Sequence, residues 1–174
     1  MQMGKMNASA ENKLILMMGI PGSGKSTWAK DIVKNNKNIK YVSRDEIRFN
    51  LIDNQKNYFS KEDEVMSIFS KTIRKFLLEG YTVIADATHI TKGSRKKLLN
   101  KIDLDYNKYL VNIFYRKVPL SLALEQNELR KNNKLAYVPR SAIKRMYAQL
   151  EPVDLEKEKY INKIIVNEEF DKEE

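Results

Sequence analysis

The sequence predicts an α/β fold, a five-stranded parallel sheet with helices on both faces. Three observations predict it. Five short apolar runs alternate with helical patterns along the 174 residues. Each run is apolar nearly throughout rather than at every second position, as strands covered on both faces are. And each stretch rich in glycine, serine, carboxylate or arginine follows directly on such a run, where the carboxyl ends of parallel strands share one edge.

The runs are LILMM (14–18), IKYV (39–42), YTVIA (81–85), YLVNIFY (109–115) and INKIIV (161–166). All have strand length and β-branched or aromatic content. Helical patterns fill 25–35, 45–53, 62–78, 93–101, 119–131 and 139–149. In the strongest, 62–78, Val65, Phe69, Thr72, Ile73 and Phe76 share a face. Ser60 stands before it as an expected cap, with Asp63 three residues on, and Gly80 closes it. Pro119 and Pro139 sit where helices can start. The length suits one domain, expected over 13–167, with a leader over 1–12 expected to be disordered and an acidic tail over 168–174.

Net charge is +9; the tail Glu168–Glu174 holds five acids and one lysine, −4, so the chain before it carries +13. A basic body favours polyanions such as nucleotides or nucleic acid. The 24 lysines against 8 arginines equally fit solvated helix faces. There is no cysteine, hence no disulfide, thiolate metal site or cysteine nucleophile. No apolar run has the length of a membrane span, and the first dozen residues lack a signal-peptide core. A cytoplasmic protein without a membrane partner is the expectation.

After the first strand comes Gly19-Ile20-Pro21-Gly22-Ser23-Gly24-Lys25-Ser26-Thr27, which satisfies G-x-x-x-x-G-K-[ST]. A chain that wraps a phosphate with its own N–H groups cannot carry bulky side chains there, and the helix that begins near Lys25 adds its dipole. Gly19, Pro21, Gly22, Ser23, Gly24, Lys25, Ser26 and Thr27 are therefore expected to hold ATP or GTP. Lys25 would reach the β- and γ-phosphates and Ser26 would bind Mg²⁺. With the other elements this predicts the P-loop NTPase fold with strand order 2-3-1-4-5.

After the second strand, Asp45 stands at the sheet edge and Arg48 one helical turn on. Asp45 is placed to accept a proton from an attacking hydroxyl, and Arg48 to clamp a phosphate of the acceptor. The competing reading is that Ser43 or Asp45 simply caps a helix. After the third strand, Asp86 occupies a Walker B position near Mg²⁺, or orients the acceptor. Thr88 and His89, the single histidine, follow as candidate substrate contacts. Between the last two helical patterns a lid is expected near 127–139, with Arg130 stabilising charge on the transferring phosphoryl, Asn127 supporting it, and Arg140 and Arg145 as competitors for that role. Trp28 reads as sheet packing and Tyr137 as a stacking residue on the lid.

Residues 13 to 150 resemble the kinase module of the phage-type 5′-hydroxyl polynucleotide kinases, within the wider zeta-toxin-like, AAA-type group of P-loop kinases. The resemblance rests on GIPGSGKSTWA, SRDEIR, ADATHI with Arg95 after it, QNELR…VP and RMY. It implies that Asp45 is the general base, that Arg48 holds the phosphate beside the acceptor hydroxyl, that Arg130 is the lid arginine and that Asp86 lies in the active site. Gln126 and His89 replace an arginine and an asparagine common in that family. The expected activity is ATP-dependent transfer of the γ-phosphoryl to a hydroxyl, with the 5′-hydroxyl end of DNA or RNA preferred. A kinase for a small metabolite, antibiotic or nucleotide sugar is the alternative, and a nucleotide switch with little transfer is one of another class.

Overall fold

The computed structural model describes residues 13–52, 59–132 and 137–169. The leader 1–12, the middle of the expected lid (133–136) and the tail beyond 169 lie outside the described residues.

Element order is β1 (Lys13–Met18), α1 (Lys25–Lys34), β2 (Ile39–Ser43), α2 (Arg44–Leu51), α3 (Glu62–Leu78), β3 (Thr82–Asp86), α4 (Lys92–Ile102), β4 (Leu110–Lys117), α5 (Leu120–Glu128), α6 (Arg140–Ala148) and β5 (Ile161–Glu168). The strands form one sheet, ordered β2-β3-β1-β4-β5, with every neighbouring pair parallel. This is the order the sequence predicts.

The pleat of β1 explains the two layers. Leu14, Leu16 and Met18 point to one face and pack with Phe69, Ile73 and Leu77 of α3 and Leu98, Leu99 and Ile102 of α4. Ile15 and Met17 point to the other, with Ala29, Trp28 and Ile32 of α1 and with Phe114. Trp28 stacks on Phe114 at 3.6 Å between centroids, so its expected use in sheet packing holds. A third cluster, Ile20, Ile90, Val118, Ala123, Leu124 and Ile143, seats α5 and α6 on the loop edge of the sheet.

Two boundaries differ from the sequence reading. The N-cap of α3 is Lys61, one residue after Ser60, and the Lys61 side chain makes no cap bond. The helix instead starts on Glu62, Asp63 and Glu64, whose charges suit its N-terminal dipole. Its end follows the expectation: Gly80, at φ 91°, donates to Leu77 and Tyr81 donates to Phe76, a Schellman closure in which the Tyr81 and Phe76 rings meet edge to face. The second difference is at the C-terminus. A boundary at 167/168 would cut β5, because Glu168 is its last residue and ion-pairs with Lys117 of β4.

No helix among the described residues is long and apolar enough to cross a membrane.

Candidate active site

The phosphate loop leaves β1 at Met18 and enters α1 at Lys25. Gly22 and Gly24 adopt φ of 84° and 88°, the region that favours glycine. A β-carbon on Gly22 would overlap the carbonyl oxygen of Ala123, so α5 packs directly on the loop. At Gly24 the nearest atom to such a carbon is Arg116 Nε at 3.8 Å, and backbone conformation, not crowding, demands glycine there. The loop is pinned from below where Gly19 N donates to Thr88 O at 3.0 Å.

One cleft collects the chemistry. Pro21, Gly22, Gly24, Lys25 and Ser26 line its floor; Arg44, Asp45, Arg48, Phe59 and Glu62 line one wall. Asp86, Ala87 and Thr88 line the sheet edge, and Arg130, Val138 and Met146 come from the region of α5 and α6. Of the expected site residues, the cleft therefore brings together Pro21, Gly22, Gly24, Lys25, Ser26, Asp45, Arg48, Asp86, Thr88 and Arg130. Gly19 and Ser23 shape the loop from beneath, and Thr27 is exposed on the first turn of α1 beside the cleft.

Lys25 is buried and donates to the loop's own Ile20 carbonyl at 3.1 Å. Burial holds its ammonium below the ordinary lysine value, Arg130 adds to that fall, and Asp86 and Asp45 oppose it. Asp86 Oδ2 accepts from Ser26 Oγ and from Tyr41 Oη, both at 2.5 Å. The two expected metal ligands, Ser26 and Asp86, are thus side by side, and Tyr41 fixes the carboxylate between them. Burial, followed by the Asp86 charge, raises the Tyr41 phenol well above its usual range, so it stays a donor.

The wall that carries Asp45 and Arg48 settles who caps α2. Ser43 Oγ accepts from Glu46 N at 3.2 Å, which is the cap bond, so Asp45 is not needed for it. Asp45 instead pairs with Arg48 Nη1, while its own side chain is 66% exposed to the cleft. Arg48 is buried, and Glu62 holds it from the far side through Nε to Oε1 (2.5 Å) and Nη2 to Oε2 (3.1 Å). Glu62 also takes Arg44 Nη2 at 2.7 Å. Burial alone would raise the Glu62 carboxyl; the hydrogen bonds and charges of Arg48 and Arg44 outweigh it and hold the group below its ordinary value. Phe59 lies with its ring 5.6 Å from the Arg48 guanidinium carbon.

Beyond α5, Asn127 Nδ2 donates to Val138 O at 2.7 Å and Val138 N donates to Asn127 Oδ1 at 3.0 Å. Asn127 thus ties Val138, at the start of the next segment, to the end of α5 near Arg130. Tyr137 does not line the cleft; its hydroxyl lies 3.5 Å from Glu128 Oε1.

His89 is the correction. It does not line the cleft, and is 4% exposed, at φ 45°, with Nδ1 2.7 Å from the Met17 carbonyl and its ring stacked near Phe69. Nδ1–H donates to that carbonyl, so the ring stitches the Asp86–His89 turn to β1. Burial lowers its pKa to about 4, against the opposing hydrogen bond that the ring donates to the Met17 carbonyl. A histidine kept neutral when folded lets the unfolded chain bind a proton first, so stability falls as pH drops from about 6.5 to about 4. The gap corresponds to on the order of 3 kcal/mol. Thermal melts should show that loss in the parent. His89→Asn, which keeps an amide donor and tolerates positive φ, should show a flatter profile in that window. Parallel losses in both proteins would mean that other groups carry the acid sensitivity.

Residues 14–153 match a family model described as an AAA domain. Among solved structures, a chain of the Pnkp1/Rnl/Hen1 RNA repair complex superposes with a TM-score of 0.68 at 23% identity, over 84% of this chain and 46% of that one. A fungal RNA kinase gives 0.63 at 12%, over 95% and 78%. A sugar kinase from Janibacter sp. HTCC2649 gives 0.62 at 15%, over 91% and 85%. This chain spans less than half the length of the RNA repair chain it matches.

Proposed function

We propose, from the premise that the chain belongs to the AAA domain family its residues 14–153 match, that it is a P-loop kinase. It transfers the γ-phosphoryl group of ATP or GTP to a hydroxyl, and its preferred acceptor is a 5′-hydroxyl end of DNA or RNA. One observation carries the reading. The phosphate loop with Lys25, the Ser26–Asp86 pair and the Asp45–Arg48 pair line a single cleft, with Arg130 on its lid side. A nucleotide switch has no use for the second pair.

The residues divide the work. The loop amides and Lys25 bind the phosphates. Ser26 and Asp86 would hold Mg²⁺; two oxygen donors suit a cation that keeps phosphate and water as its remaining ligands. Bound there, Mg²⁺ supplies positive charge against the phosphate oxygens. Asp45 takes the proton of the acceptor hydroxyl as its oxygen bonds to the γ-phosphorus. The bond to the β–γ bridging oxygen breaks, and the nucleoside diphosphate leaves with that electron pair. Arg130 offsets charge on the transferring group from the lid. Arg48 is placed to grip the phosphate next to the hydroxyl, with Glu62 holding it in position.

The RNA repair and RNA kinase folds among the structural neighbours support a polynucleotide acceptor, and the sugar kinase keeps the small-molecule alternative in view. The discriminating experiment measures transfer from γ-labelled ATP to a 5′-hydroxyl oligonucleotide, a nucleoside 3′-monophosphate, a nucleoside and several sugars at two salt concentrations. The oligonucleotide and the 3′-monophosphate should be labelled well and the nucleoside poorly. Affinity for the oligonucleotide alone should fall steeply with salt, because several phosphate contacts release counterions. Preferential labelling of a sugar would overturn the polynucleotide acceptor and leave the kinase assignment standing.

A further inference from the structure

Arg116 stands near the C-terminal end of β4, outside the motifs that define the cleft. Its Nε donates to the carbonyl oxygen of Ser23, inside the phosphate loop, at 3.0 Å. Its Nη1 is held by Asn167 Oδ1 and its Nη2 by Glu169 Oε2, from β5 and the residue just beyond it. The guanidinium is therefore fixed on three sides, and Glu169 N is itself anchored to the Lys117 carbonyl at 2.9 Å.

The contacted peptide is the one between Ser23 and Gly24. Ser23 is 0% exposed, and its Oγ has no hydrogen-bond partner among the described residues, so its side chain does not hold the loop. Glycines flank it on both sides, which makes rotation of this peptide sterically cheap. All peptides here are trans, and in a planar trans peptide the C=O and the N–H point in opposite directions. Fixing the Ser23 carbonyl on Arg116 turns the Gly24 N–H the other way, into the cleft. A loop built from glycines for close approach to phosphate thus needs an outside clamp to hold its amides in the binding orientation.

We propose that Arg116 is a positioning residue for phosphate binding, and that Asn167 and Glu169 set its position. The end of β5 thereby acts on nucleotide affinity without touching the nucleotide. The inference rests on the nucleotide-binding part of the proposed function and not on the acceptor.

Calorimetric titration with ATP and Mg²⁺, and separately with inorganic pyrophosphate, tests it. Arg116→Ala should weaken ATP roughly tenfold, the effect of losing one charge-assisted hydrogen bond. Pyrophosphate should weaken by the same factor, because the amide meets phosphate and neither base nor sugar. Arg116→Lys keeps one donor for Ser23 but cannot also span Asn167 and Glu169, so it should recover part of the loss. Glu169→Ala should weaken both ligands in the same direction but less; these two variants carry the test if Arg116→Ala does not fold. Affinities within twofold of the parent in folded variants would overturn the proposal, as would a loss for ATP that pyrophosphate does not share. A parent that binds ATP yet phosphorylates no hydroxyl would sink the kinase reading and leave this test intact.

Discussion

Replacing Asp45 with asparagine is expected to lower phosphoryl transfer by roughly 10²- to 10⁴-fold, the usual contribution of a general base, while ATP affinity stays within about twofold. The neighbouring contacts make this a clean substitution. Ser43 caps α2, so the helix start survives the change. Glu62 grips Arg48 with both carboxylate oxygens, so Arg48 keeps its place when Asp45 loses its charge. The Asp45 side chain is 66% exposed, and ion pairs of that exposure contribute at most about 1 kcal/mol, so folding should change little. Asparagine preserves the shape and can still accept a hydrogen bond, but it cannot take the hydroxyl proton. Single-turnover rates with a saturating acceptor, measured beside ATP titration and a melt, check the three parts separately. A variant that turned over within a few-fold of the parent would remove Asp45 from the reaction and return it to a helix-end charge.

The contrast between Asp45 and its neighbours shows where a sequence is legible and where it stops. Asp45 and Arg48 are three residues apart, and helical spacing alone puts them together. The phosphate loop is legible for the same reason, since its glycines, lysine and serine are consecutive. Apolar runs that alternate with helices made the parallel sheet legible, and the phosphate-loop motif its strand order. Other parts of the site depend on pairs far apart in the chain. Glu62 reaches Arg48 across 14 residues and Tyr41 reaches Asp86 across 45. Tyr41 is set by parallel register, with Ser43 beside Asp86 and Tyr41 two residues back on the same face of β2. No local pattern marks such a tyrosine. Nor does any mark Glu62, which reads as one acid in the acidic first turn of α3. His89 misled in the opposite way. A lone histidine after a Walker-type aspartate reads as a candidate contact, but its positive φ and its bond to Met17 give it to the scaffold.

Arg95→Met is expected to cost about 3–5 kcal/mol of stability, the penalty of leaving one partner of a buried ion pair alone. That is on the order of 10 °C in melting temperature for a chain of this size. Arg95 is 0% exposed and Glu158 3%. They meet through two parallel bonds, Nε to Oε1 at 2.8 Å and Nη2 to Oε2 at 2.9 Å. Arg95 Nη1 also donates to the carbonyl of His89 at 3.0 Å and reaches that of Glu151 at 3.4 Å. Asp154 N donates to Glu158 Oε2 at 3.2 Å, and Glu151 N donates to Ile90 O at 2.8 Å. One guanidinium thus joins α4, the turn behind Asp86 and the segment leading into β5. Burial pushes the Glu158 carboxyl up, but the hydrogen bond from Arg95, with that from the Asp154 backbone and the Arg95 charge, holds it below its ordinary value. Without Arg95 the carboxylate would lose its counter-charge, and the carbonyls of His89, which is buried, and Glu151 would lose a donor. Methionine fills a similar volume but supplies neither. The double variant Arg95→Met with Glu158→Met removes the stranded charge, so it should regain part of the loss relative to Arg95→Met alone. Urea denaturation of the parent, both single variants and the double variant gives the coupling directly. Additive losses would show that the two side chains act independently, and that packing of α4 rather than this ion pair fixes the turn behind Asp86.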